Sequence, residues 1–338
     1  MSLPAEPRVV ITGAGGGLDR LAEDYLRRGL AIVNQVHDLP AQIWVLENMG
    51  HYFLGKSRFT ESQAPIAQAI EMSRSLADRR RWGESIALQV IQEYYQGNFL
   101  QCAKRSHEQY AANKQSCDHQ GQFYSLLALI DFTYLPLGQL EQARQNLQEC
   151  AGLLNRNIPR NDQIWYHGLR ALVEWEQGER AAAGQAARAA LRLLSDTSPT
   201  TFYTFGGYAA VAEVGLALLE TQSDASSASA NQQLARQACR HLSSLARPFP
   251  ICRPRTWLYQ GHHAWLRGHR KRAHKTWEQS LLLAEQQAMP YEQGRVHFAI
   301  GRHSQGPTRR HHLTRALEIF TRLGATYYNE RARQELSK

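Results

Sequence analysis

Cysteine is scarce and unpatterned. The 338 residues hold five, Cys102, Cys117, Cys150, Cys239 and Cys252, an odd number with no CxxC pair. That excludes a disulfide framework and a zinc ribbon, and leaves reduced, buried small hydrophobes as the expectation. Long apolar runs are missing too. The best stretch, from Tyr208 to Leu219, is broken by Glu213, and it falls short of the roughly 18–20 residues that a bilayer span requires. The opening MSLPAEPRVV has no charged region leading into an apolar one, so no secretory leader is expected and the cytoplasm is the expected compartment. The 14 histidines form no HExxH, and adjacent pairs such as His262 and His263 point in different directions on a helix, so no metal is expected.

What is present is an ordinary globular balance, 43% hydrophobic and 20% charged, with 24 glycines and 12 prolines; it excludes collagen-like and disordered classes. The formal charge of +9 is unevenly placed. Residues 251–338 carry 16 basic and 6 acidic side chains, against 23 and 24 before them, so the last quarter holds the whole excess and eight of the 14 histidines. Such an end suits an acidic partner. No nucleic-acid motif and no spaced aromatic-basic platform accompanies it, so a solvated face rich in arginine is the first reading of the charge, ahead of an acidic protein surface, a nucleotide or a nucleic acid as partner.

The strongest signal is periodic. Gly55, Gly97, Gly138 and Gly178 follow one another at 42, 41 and 40 residues, and Gly268 comes 90 later, two periods plus ten. The surplus is assigned to the small polar run 222–231, read as a flexible insertion. On both sides of each glycine apolar residues recur every three or four positions, as in Leu126, Leu129, Ile130 and Tyr134, then Ala143, Leu147 and Cys150. Each unit therefore reads as a helix hairpin, with glycine supplying the left-handed angle that stops the first helix. About seven in tandem make an all-α solenoid of roughly forty-residue repeats. The expected organisation is a glycine-rich leader over 1–19, repeats over 20–221, the insertion, and basic repeats over 232–338. Trp257, Gly261, Gly268, Ala273 and Trp277, like Tyr134, Gly138, Ala143 and Leu147, have tetratricopeptide spacing.

Several stretches carry a resemblance: RRWGESIAL (80–88), YYQGNF (94–99), FGGYAAVAEV (205–214), RPFPICRPR (247–255), MPYEQG (289–294), GRH (301–303) and HLTRALEIFTRLG (312–324). Over roughly residues 20–338 the chain resembles the C-terminal tetratricopeptide region of large bacterial signalling proteins that join nucleotide-cyclase and AAA-type ATPase modules to helical repeats. The resemblance implies an interaction and regulatory region. The catalytic modules are not in this sequence, so their activities do not carry over.

Three segments imitate catalytic motifs. VVITGAGGGLD (9–19) resembles the opening of short-chain dehydrogenases, with Thr12, Gly13 and Gly17 in place; Asp19 replaces the last glycine, where a carboxylate repels phosphate. YAANK (110–114) matches that family's Tyr–Lys pair at the end of a repeat helix. GHYFLGKS (50–57) matches the phosphate loop pattern, with Lys56 and Ser57 in the phosphate and magnesium positions. Its bulky interior continues a helical stripe from Trp44, so the segment reads as helix and no cofactor is expected. A cofactor-dependent enzyme built on repeats stands as the second reading, behind a non-enzymatic module that binds a protein or peptide.

Stacked hairpins leave a concave groove that suits a peptide. Three residues before each turn glycine stand Tyr52, Tyr94, Leu135, Trp175 and Trp265, a mostly aromatic column that could line this groove or pack between repeats. Arg270, Lys271 and Arg272 form the expected basic patch. Arg79, Arg80 and Arg81 read as a solvated helix start.

Overall fold

The computed structural model describes residues 16–221 and 225–338. These contain sixteen α-helices and no strand. A first helix, α1 (Gly16–Gln35), is followed by seven hairpins: α2 (Leu39–Gly55) with α3 (Phe59–Ser75), α4 (Arg79–Tyr95) with α5 (Phe99–Gln115), α6 (His119–Leu129) with α7 (Leu140–Leu153), α8 (Arg160–Glu176) with α9 (Arg180–Ser195), α10 (Phe205–Glu220) with α11 (Ala225–Ala246), α12 (Arg253–Leu266) with α13 (Arg270–Gln286), and α14 (Pro290–Arg302) with α15 (Gly306–Leu323). Helix α16 (Thr326–Leu336) ends the chain. The fold is an all-α solenoid of tandem hairpins.

The regularity is finer than a forty-residue period. Helices α2 to α5 each span 17 residues and are separated by three. The middle residue of each linker is left-handed: Ser57 at φ 60°, Ala77 at 54°, Gly97 at 82° and Cys117 at 55°. The next residue donates its N–H five positions back, Arg58 to Phe53 at 2.8 Å, Asp78 to Ser73 at 2.9 Å, Asn98 to Glu93 at 2.8 Å and Asp118 to Asn113 at 3.0 Å. This is the Schellman closure that satisfies the last carbonyls of a helix. In alternate linkers Asp38, Asp78 and Asp118 also cap the following helix, accepting from the N–H of Ala41, Arg81 and Gly121. The turn position of the first hairpin is thus Ser57 and not Gly55. Gly55 lies in the last turn of α2, where a Cβ would stand 3.2 Å from the Phe202 ring. The hairpin turns fall at 57, 97, 138 and 178, and the single interval of 41 has a cause: α6 continues through a π turn, Ile130–Tyr134, with Leu135 N–H bonded to Ile130 O at 3.0 Å. A π turn inserts one residue into a helix.

The run 222–231 is not a loop throughout, for α11 begins at Ala225. The surplus is spread over the 22 residues of α11 and the links on either side of the α10–α11 hairpin. That hairpin spans the expected boundary, and one hydrophobic core runs from Leu54 to Ala332.

Backbones come closest where α8 crosses α10. A Cβ on Gly168 would lie 2.3 Å from Gly207 O, and one on Gly207 would lie 2.5 Å from Trp165 Cα. Gly178, by contrast, has φ +84° with nothing within 4 Å of an added Cβ. Gly207→Ala is expected to cost about 3 kcal/mol or more by forcing the crossing apart, whereas Gly178→Ala costs about 1–2 kcal/mol from backbone conformation alone. Urea denaturation of both variants checks this, and equal losses would show that the crossing relaxes freely.

Candidate functional site

The superhelix winds tightly enough that its last helices fill the concave face of its earlier ones. Tyr94 of α4, 3% exposed, packs on Phe132 (4.9 Å between ring centroids) and on Tyr291 of α14 (6.1 Å). Its hydroxyl accepts from Arg255 Nη2 of α12 at 2.5 Å, 161 residues away in sequence. Arg331 of α16 pairs with Glu176 of α8 at 2.5 Å. The Thr326 hydroxyl donates to Leu137 O.

Two buried arginines organise this interior. Arg255 forms a forked pair with Glu292 of α14, 3.1 and 3.2 Å from Nε to the two carboxylate oxygens, and Nη2 also donates to Oε1. Arg295 donates to the Tyr259 hydroxyl at 2.5 Å and to Glu213 Oε2 at 3.1 Å, with Tyr259 and Tyr328 donating to the same carboxylate at 2.5 and 3.1 Å. Burial alone would raise the Glu213 pKa, but Arg295, the Tyr259 hydroxyl and Arg255 bring it below the ordinary value. Asp131, set on the π turn, accepts from Trp165 Nε1 at 2.8 Å. Burial raises its pKa to about 6, against the opposing pull of Arg255 and the indole N–H. The space left between these groups is about 30 Å³, room for a few waters and not for a peptide.

The aromatic column therefore divides. Tyr94 is enclosed by its own chain. Tyr52 is half-buried, its hydroxyl donating to Asp19 O at 2.9 Å. Leu135 borders the interior space. Trp175 lies half-buried beneath Arg180. Trp265 is half-buried among Trp277, His274 and His303, with Arg270 over its face at 5.3 Å. The column does not line one open groove.

The look-alike motifs resolve into structural roles. Residues 50–55 are α2 itself, so their N–H groups bond within the helix, and Lys56 follows a helix C-terminus, the negative end of the dipole. Lys56 Nζ is 2.6 Å from Asp19 Oδ1, which joins α1 to α2 and occupies the charge a phosphate would need. Ser57 is the turn residue. Tyr110 donates to Glu149 with Lys114 over its ring. Gly17 lies in the first turn of α1, and Gly13 lies outside the described residues.

The charged end is partly neutralised by the closure. Of the 16 basic residues after 250, Arg255, Arg295, Arg302, Arg309, Arg315, Arg331 and Lys338 pair with carboxylates. Three of those carboxylates, Glu176, Glu213 and Glu220, belong to the earlier repeats. Arg267, Arg270, Lys271, Arg272 and Lys275 remain exposed at the α12–α13 turn, with no carboxylate partner among the described residues. Arg236 of α11 lies near the same turn: His263 has its pKa lowered by burial and by Arg267, Arg236 and Arg272. Helix α13 opens on three cations with no acid in its first turn, the sign its dipole disfavours by a few tenths of a kcal/mol each or more. Arg80 and Arg81, in contrast, pair with Glu84, and Arg81 also with Glu47.

No protein-family model matches the chain, and no curated protein matches it.

The interior residues escaped the sequence reading. Their signal was charge inside otherwise apolar helices, above all Glu213, which interrupts the most apolar stretch of the chain. Arg255→Met is expected to cost about 3–5 kcal/mol by leaving Glu292 buried and unpaired, while Arg255→Met with Glu292→Met recovers most of it. Denaturant titration reads both, and a double variant as damaged as the single would count against a coupled pair. A second expectation concerns pH. His303, stacked on Trp277 at 5.2 Å, has its pKa lowered from 6.5 to about 3 by burial and by the charges of His262 and Arg302. Its neutral form stabilises the fold above pH 6.5, and that contribution is lost as pH falls towards 3, by up to about 1.4 kcal/mol per pH unit. His303→Phe keeps a ring in the stack, so its melting temperature falls less than that of the parent between pH 7.5 and pH 5; parallel curves would disprove the assignment.

Proposed function

We propose that the chain is a non-enzymatic interaction and regulatory module that docks an acidic protein surface along α11 and the α12–α13 turn. The observation that carries this reading is the cluster Arg236, Arg267, Arg270, Lys271, Arg272 and Lys275, exposed and without a carboxylate partner among the described residues, whereas the other exposed cations of the last repeats that lack one, Arg310, Arg322 and Arg333, stand singly along the chain. An acidic partner would relieve both the mutual repulsion and the unfavourable start of α13. The likeness to helical regions of bacterial signalling proteins points the same way. A catalytic reading finds less support, since the buried carboxyls with the largest networks are bonded within their own chain around a space of about 30 Å³.

A poly-glutamate peptide serves as the probe. Its binding is expected to weaken steeply between low and physiological salt, because exposed charges are screened over about 8–10 Å. Reversing Arg270, Lys271 and Arg272 to Glu is expected to reduce binding at least tenfold, and reversing Arg79 and Arg80 to leave it nearly unchanged. Binding that ignores salt and the 270–272 reversal but is lost in Trp175→Ala, with helicity retained, would move recognition to the aromatic residues.

A further inference from the structure

Eight large apolar side chains are exposed among the described residues, and five fall within one stretch: Leu21 (48%), Tyr25 (62%), Ile32 (58%), Val36 (65%) and Leu39 (44%). Leu21, Tyr25 and Ile32 lie on α1, and Val36 follows its last residue with its N–H still bonded to Ile32 O at 3.1 Å, so the four fall at spacings of four, seven and four residues along one helical stripe about 22 Å long. A second stripe, Leu26, Leu30 and Val33, about a third of a turn around the helix, packs on Val45, Met49 and Phe53 of α2. Every later helix in the corresponding position, such as α3 between α2 and α4, is covered on both sides by neighbours. Among the described residues helix α1 has its main packing on α2. The bare stripe is where the first helix of its hairpin would sit, so its occupant has the geometry of an antiparallel helix.

We propose that this occupant is α1 of a second copy of the chain, related by a two-fold axis passing between Arg28 and Gly29. The stripe is self-complementary about that point. In an antiparallel pairing Leu21 meets the partner subunit's Val36, and Tyr25 meets the partner subunit's Ile32; each pair recurs by symmetry, as an isologous interface requires. The charges favour the same arrangement. The six charges of α1, Asp19, Arg20, Glu23, Asp24, Arg27 and Arg28, all precede Gly29, and residues 29–35 carry none. About this axis antiparallel pairing lays Glu23, Asp24, Arg27 and Arg28 over the uncharged residues 29–34 of the partner subunit, and it opposes the two helix dipoles. Parallel pairing would set each charge beside its own copy. Arg28, nearest the axis, is held by Asp24 at 3.0 Å, which limits repulsion between the two guanidinium groups. Two such stripes bury about 1,000 Å² in total, the low end for a specific interface, so a weak, reversible dimer is expected.

The test uses the full chain. Sedimentation velocity from 1 to 100 µM is expected to show a concentration-dependent rise to twice the chain mass. Tyr25→Asp with Ile32→Asp is expected to abolish the rise, and Leu100→Asp, at a leucine 74% exposed on α5, to leave it intact; circular dichroism checks that each variant is folded. Geometry is read separately in a Cys117→Ser background, which removes the exposed thiol. There Arg28→Cys lies beside the axis and is expected to cross-link to itself through a short bismaleimide, while Val36→Cys, far from it, is not. A monomer throughout, with the stripe left to the N-terminal segment or to another protein's helix, overturns the proposal. So does a dimer that cross-links at Val36→Cys and not at Arg28→Cys.

Discussion

A left-handed residue about every twenty positions governs the first half of this chain. At 57, 77, 97 and 117 each one lets a helix of 17 residues stop and the next begin after three, with the closing carbonyls satisfied by the N–H groups of the turn. Equal helices with equal turns stack at a constant angle, and a constant angle makes a superhelix. The turn tolerates Ser57, Ala77 and Cys117 as well as Gly97, although left-handed backbone costs an ordinary residue about 1–2 kcal/mol. Packing on both sides of each hairpin is the term large enough to hold those residues there.

Curvature brings α12, α14 and α16 against α4, α8 and α10, and the contact made is polar as well as aromatic. Arg255 and Arg295 lie in the protein interior, where an unmatched charge costs several kcal/mol, and they are matched by Glu292, Glu213 and tyrosine hydroxyls from helices distant in sequence. Such a network adds little net stability over apolar packing, but it accepts one arrangement only. A slip of one helix against another would strand at least one buried charge. The π turn belongs to the same constraint, since it stands in the one helix that must present Asp131 to Trp165, and Gly206 leaves the space that Asp131 fills.

How much of this was legible follows from which signals are local. The hairpin turns at Gly97, Gly138, Gly178 and Gly268 announce themselves, because glycine is what the left-handed angle favours. Ser57 does not, and the neighbouring Gly55 drew the register two residues away. The caps Asp38, Asp78 and Asp118, forty apart, would have fixed it. The apolar stripes gave hairpins correctly, whereas Ala225–Asn231, rich in serine and alanine, looked like a loop and is the start of a helix docked on α10. Closure was not legible at all. Whether Tyr94 lines a groove or lies under Tyr291 depends on small rotations summed over several repeats, and no window of sequence holds that sum.

The first and last described helices, α1 and α16, differ in how far their apolar faces are covered, which bears on how the chain can associate. At the C-terminal end α16 turns back, burying Tyr328 and Ala332 against the core and leaving Arg333, Gln334 and Lys338 outward. At the other end α1 keeps an apolar stripe with no helix of its own hairpin upon it among the described residues. A repeat array with two matching bare ends adds copies head to tail without limit. One bare end whose stripe is self-complementary closes after two copies. The basic edge at the α12–α13 turn shares no residue with the α1 stripe, so pairing through α1 does not consume it, and two copies would present it twice to a partner of opposite charge. Two linked sites convert weak, salt-sensitive contacts into a stronger joint attachment through effective concentration, with no change to either edge.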